Sequence, residues 1–129
     1  MNWFSKIANT TTSGVRLWLD DVRDPADSHV QRDFGSVGDE IWVKTPSEAI
    51  DMLREGNVAH ISLDHDLGDD EIIGTGYDLA KWIEEAAFNK KIQRIAWRVH
   101  SANPVGRTRM ASAMQSADRF WDMLNDSST

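Results

Sequence analysis

The chain has 129 residues, 40% of them hydrophobic and 27% charged, which is the size and balance of one globular domain able to bury its own core. It has no cysteine, which excludes a disulfide framework, a zinc–thiolate site and a cysteine nucleophile. A formal charge of −7 argues against binding along a duplex nucleic-acid backbone, which takes clustered Lys and Arg.

In chain order, Met1 to Gly14, with one lysine and a polar Asn-Thr-Thr-Thr-Ser-Gly stretch, reads as a flexible N-terminal arm. It lacks the apolar centre of a secretory signal. No run approaches the ~18 apolar residues of a membrane span, so a cytoplasmic location without membrane contact is expected. Val15 to Leu19 has the length and composition of a strand and runs into Asp20-Asp21. Val22 to Asp39 holds Pro25, Gly35, Gly38 and many charges but no apolar stripe. It is expected to be a long loop with one helical turn at most. Glu40 to Lys44 is a weaker strand. Thr45, Pro46 and Glu48 then form a helix start: N-cap, first-turn proline and capping-box acid. Ala49, Ile50 and Leu53 share a face, and Gly56 supplies the stop.

A third strand, Ala59 to Leu63, ends in Asp64-His65-Asp66. The Gly74-Thr75-Gly76 turn follows, and a helix starts near Gly76 or Tyr77 with the stripe Leu79, Ala80, Ile83, Ala87. A fourth strand, Ile95 to Val99, ends in His100-Ser101. The last helix is expected from Val105 to Leu124, because Met110, Ala113, Met114, Ala117, Trp121 and Leu124 recur at helical spacing. Residues 125–129 read as a frayed tail. Five of the six tryptophans, Trp18, Trp42, Trp82, Trp97 and Trp121, fit these elements as core residues. Strand and helix alternate, so the expected domain, residues 15–124, is α/β: an open parallel sheet of about four strands with helices on both faces.

Ligands of open parallel sheets bind beyond the carboxyl ends of the strands. Here those ends carry Asp20 and Asp21, then Asp64, His65 and Asp66, then His100, Ser101 and Asn103. Carboxylates so close cannot all stay ionised without compensation. Asp20, Asp21, Asp64 and Asp66 are therefore candidate ligands of a divalent cation. Mg²⁺ is the first expectation, with Mn²⁺ and Ca²⁺ as alternatives. One or two of these aspartates could cap a turn instead, Asp66 before Leu67-Gly68 being the nearest to that role. His100 and His65 are candidate proton carriers, His100 the stronger. Ser101, Asn103 and Arg107 lead into the last helix, whose N-terminus offers backbone N–H groups to a phosphate. Arg23 could reach the same pocket.

Four motifs occur in order: Leu19-Asp20-Asp21-Val22-Arg23-Asp24-Pro25, Ile61-Ser62-Leu63-Asp64-His65-Asp66-Leu67-Gly68, Gly76-Tyr77-Asp78, and Val99-His100-Ser101-Ala102-Asn103-Pro104-Val105-Gly106-Arg107. Together they resemble the receiver-like domains proposed to process cyclic phosphates in bacteria and their phages, over about residues 15–124. The wider kinship is to response-regulator receivers. Their acidic pair falls on Asp20 and Asp21, their phosphoacceptor on Asp64, and their Ser/Thr-Ala on Ser101-Ala102. The departures are the missing fifth strand with its lysine, a loop in place of the first helix, and the added histidines His65 and His100. The resemblance implies a receiver/flavodoxin-like fold and a host-cytoplasm location if the protein is phage-encoded.

The expectation is thus a metal-dependent phosphoesterase. It would open a cyclic phosphate on a nucleotide, an RNA end or an ADP-ribose derivative. Asp64, His65 and His100 would be catalytic, Asp64 as metal ligand or as nucleophile, and Arg23, Ser101, Asn103 and Arg107 would hold the substrate. The alternative is a non-catalytic receiver-like domain that binds a phosphorylated ligand or accepts a phosphoryl group on Asp64.

Overall fold

The computed structural model describes residues 14–127, with side chains through Leu124. The elements run β1 (Val15–Leu19), α1 (Ser28–Phe34), β2 (Ile41–Val43), α2 (Pro46–Glu55), β3 (Val58–Leu63), α3 (Gly76–Phe88), β4 (Ala96–Val99) and α4 (Pro104–Ser127). The four strands form one parallel sheet in the order β2-β1-β3-β4. That order and the helices between the strands are those of a receiver/flavodoxin-like α/β fold, and among the described residues no fifth strand follows β4.

Strand residues alternate between two faces. Leu17, Leu19, Ile61 and Leu63 point to one and pack with Val43 against Ala49 and Leu53 of α2, Leu79 and Ile83 of α3, and Met110, Met114 and Trp121 of α4. The other face carries Trp18, Ser62 and Arg98, which are mutually in register. The first crossover runs opposite to the next two, and right-handed connections put its helix on this second face. Arg98 Nη1 accordingly donates to the Gly35 carbonyl at the end of α1, at 2.7 Å.

Two expectations are corrected. Residues 22–39 are not a loop with one turn, and the first helix is not lost: α1 spans Ser28–Phe34, about two turns. Only Val30 of α1 is buried, so the helix shows no apolar stripe in the sequence. At the other end, residues 125–127 of the expected tail continue α4, since neither glycine nor proline follows Leu124 to stop it. Residues 1–13 of the expected arm, and 128–129 of the tail, lie outside the described residues.

The two capping boxes have a positional consequence. Thr45 accepts from the Glu48 amide and Glu48 from the Thr45 amide, as read from the sequence. Thr75 and Asp78 do the same for α3 and anchor the β3–α3 loop. Gly76 tightens that anchor, because its amide donates to the His65 carbonyl at 2.9 Å. A Cβ there would stand 1.9 Å from the Asp64 carbonyl oxygen. Gly76→Ala must therefore push the Asp64 backbone. A loss of about 1–3 kcal/mol or more is expected in urea denaturation, against ~1 kcal/mol for Thr75→Ala, which removes only the cap.

Candidate functional site

Register builds the site. Leu19 pairs with Leu63 and Leu63 with Val99. Backbone bonds continue one residue further, from the Asp64 amide to the Leu19 carbonyl (3.0 Å) and from the His100 amide to the Leu63 carbonyl (2.9 Å). Asp20, Asp64 and His100 thus stand side by side at the carboxyl edge. One ligand atom from each lies within 4.8 Å of the others, and all three residues are buried.

Asp20 is the most heavily bonded. Its Oδ1 accepts from the Val22 and Arg23 amides at 3.0 and 2.9 Å, closing a turn. Its Oδ2 accepts from His100 Nε2 at 3.0 Å and Arg23 Nη1 at 3.2 Å. Trp42 and Trp18 pin the same turn through indole N–H bonds to the carbonyls of Asp20 and Arg23. Burial works to raise the Asp20 pKa. The bonds from His100, the two amides and the Arg23 guanidinium outweigh it and hold the carboxyl below its ordinary range. Asp64 goes the other way: burial first, and the charge of Asp20 second, push it up. Arg23 Nη1 reaches Asp64 Oδ2 at 3.5 Å, while its guanidinium lies 4.1 Å over the Phe34 ring of α1.

The histidines separate into two environments. The His100 side chain is fully buried. Its Nδ1 meets Ser62 Oγ at 2.7 Å, its Nε2 meets Asp20, and Trp18 stacks on its ring with centroids 3.8 Å apart. His65 lies on the same edge with its side chain 16% exposed. Its Nδ1 bonds Asp66 Oδ1 at 2.9 Å. Its ring lies so close to Gly106 that a Cβ there would sit 2.4 Å from it. The His65 bond, followed by that of Asn103, holds the exposed Asp66 below its ordinary pKa. Asn103 Nδ2 approaches the two Asp66 oxygens at 3.5 and 3.4 Å, and its Oδ1 caps the Gly106 amide at 3.0 Å.

Three of the residues expected at the site, Asp20, Asp64 and His100, therefore form the inner group, with Arg23 against it. Asp21 falls outside that group, and Asp66 serves His65. It is Asp20, not Asp66, that doubles as a turn cap. Ser101 is buried, its Oγ taken by the Asn103 amide. The start of α4 is less open to an anion than its sequence suggests, because Pro104 has no N–H and Asn103 occupies Gly106. Arg107 is exposed, and its side chain has no ion pair among the described residues. Ser62 and Trp18 were not singled out for the site. The signal was their position two residues before Asp64 and Asp20, on the same strand face.

The sequence matches the model of the cyclic-phosphate processing receiver domain over residues 15–116. The chain belongs to that family. No curated protein and no solved structure is a match. In this receiver domain the inner group could hold a metal ion. Two carboxylate oxygens and an imidazole nitrogen are suitable donors, and Asp64 is a carboxylate whose charge burial and Asp20 oppose until a cation offsets them. No helix among the described residues is long and apolar enough to cross a membrane.

Proposed function

We propose that the domain is a metal-dependent phosphoesterase that opens a cyclic phosphate on a nucleotide, an RNA end or an ADP-ribose derivative. The observation carrying this reading is the convergence of Asp20, Asp64 and His100 within 4.8 Å at the edge where open sheets bind ligands. A divalent cation held by these three would neutralise the phosphate and act as a Lewis acid. The two carboxylates suit Mg²⁺, Mn²⁺ or Ca²⁺, while the imidazole adds affinity for later first-row ions such as Fe²⁺ or Zn²⁺.

The roles of the two histidines follow from their bonds. His100 has both ring nitrogens engaged by buried partners, which suits a ligand and not a proton carrier. His65 has Nδ1 held by Asp66, so Nδ1 carries the proton and Nε2 presents its lone pair. That is the arrangement of a general base. Water adds to phosphorus, one ring P–O bond breaks, and a monoester and a free hydroxyl result. His65 Nε2 takes the water's proton and returns it to the departing oxygen. Arg23 and the exposed Arg107 are the cations available to the phosphate oxygens. Asn103 holds Asp66 and Ser101 shapes the turn before α4, so both support substrate binding through the loop.

The test is purified protein with Mn²⁺ or Mg²⁺ and a panel of 2′,3′-cyclic and 3′,5′-cyclic nucleotides, followed by ³¹P NMR. Linear product is expected. His65→Ala should reduce kcat about 10²-fold or more, and Asp66→Asn should lose part of the same effect, because the tautomer is no longer fixed. Stoichiometric binding without product would replace the enzyme with a ligand-binding receiver. A hydroxylamine- and alkali-labile phosphoryl group on Asp64 after treatment with a phosphodonor would replace it with a phosphoacceptor.

A further inference from the structure

We infer that Ser62 is the positioning residue for His100, a hydroxyl that changes from donor to acceptor when the imidazole passes from Asp20 to a cation. The inference rests on the proposed cation site and adds a group that site does not contain. Ser62 is 1% exposed, and its Oγ lies 2.7 Å from His100 Nδ1. It sits in register between Trp18 and Arg98, on the strand face that leads to Asp64.

The argument is one of donors and acceptors. The Asp20 carboxylate only accepts, so the 3.0 Å contact requires a proton on His100 Nε2. A neutral ring then has a bare Nδ1, and Ser62 must donate to it. For Nε2 to bind a cation it must be bare. The neutral ring then carries its proton on Nδ1, and Ser62 must accept. Trp18, stacked at 3.8 Å and 9°, holds the ring plane while the proton changes side. A hydroxyl meets both demands in place, because it has one rotatable hydrogen and two lone pairs. Alanine meets neither, and the buried Nδ1 is left unpaired in both states.

Three measurements test this. In the metal-free parent, ¹⁵N shifts should report a hydrogen-bonded Nδ1 acceptor and a protonated Nε2 on His100. Addition of diamagnetic Zn²⁺ should reverse them. Mn²⁺ titration by calorimetry should show Ser62→Ala binding about 10–100-fold more weakly than the parent, with Ser62→Thr restoring most of the loss. A purely structural serine would lower the melting temperature of Ser62→Ala and leave the Mn²⁺ affinity unchanged. That result overturns the inference while the cation site stands. A protonated Nδ1 in the metal-free parent also overturns it. A parent that binds neither Mn²⁺ nor Zn²⁺ overturns the cation site and the inference together.

Discussion

Asp64→Asn is expected to abolish turnover and to steady the metal-free fold in the same stroke. As a ligand or as a nucleophile, Asp64 is needed in its charged form, so kcat should fall at least about 10³-fold. The stability effect has the opposite sign. Burial and the neighbouring Asp20 raise the Asp64 pKa in the native state. A carboxyl of this kind favours the fold while protonated. That contribution is complete below the unfolded value of about 3.8 and is lost as pH rises through the higher native value. At pH 7 the ionised group is thus a net cost to the metal-free protein. Asparagine removes the charge and can still accept the His65 amide that Asp64 Oδ1 takes at 2.9 Å. In EDTA the variant should melt above the parent at pH 7, and the gap should close near pH 3. An Asn variant that turns over with metal present would exclude Asp64 both as nucleophile and as an essential ligand.

Asp20→Ala is expected to be the most damaging single change to the fold. Four donors converge on this carboxylate: two amides, the Arg23 guanidinium and His100 Nε2. Its side chain is fully buried. Removal leaves the two amides and His100 Nε2 without that acceptor, and leaves the Arg23 guanidinium with Asp64 as its remaining carboxylate. A loss of about 3–5 kcal/mol follows from breaking such a buried pair. The pH dependence is the mirror image of that of Asp64. The net shift of Asp20 is downward, so its contribution is present above about 3.8 and is lost as pH falls through the lower native value. Urea denaturation of parent and variant should therefore differ most at pH 7 and converge on acidification. Equal stabilities at pH 7 would mean that the Asp20 network contributes nothing to the native state.

Much of the fold was legible because each strong strand ends abruptly in chemistry. Leu19-Asp20, Leu63-Asp64 and Val99-His100 mark the boundaries where apolar alternation stops, and α2 announces itself through Thr45, Pro46 and Glu48. α1 was not legible as a helix, since one buried residue, Val30, makes no periodic stripe. The partition of the site was less legible still. His65 and His100 both follow a strand and both stand near an aspartate in sequence or in space. Nothing local to either residue reveals that one is sealed under Trp18 and the other lies against Gly106.

By itself, the amino-acid sequence determined the α/β class, the parallel sheet, its family and the edge at which polar groups collect. Those follow from periodicity, caps and motif order, which are properties of neighbouring residues. Only the tertiary structure decided the pairings within that edge: His100 with Asp20 across 80 residues, and Ser62 behind the buried imidazole. The physical reason is register. Parallel strands place side chains next to one another according to how the strands align, and a one-residue slip would turn each of these groups to the opposite face.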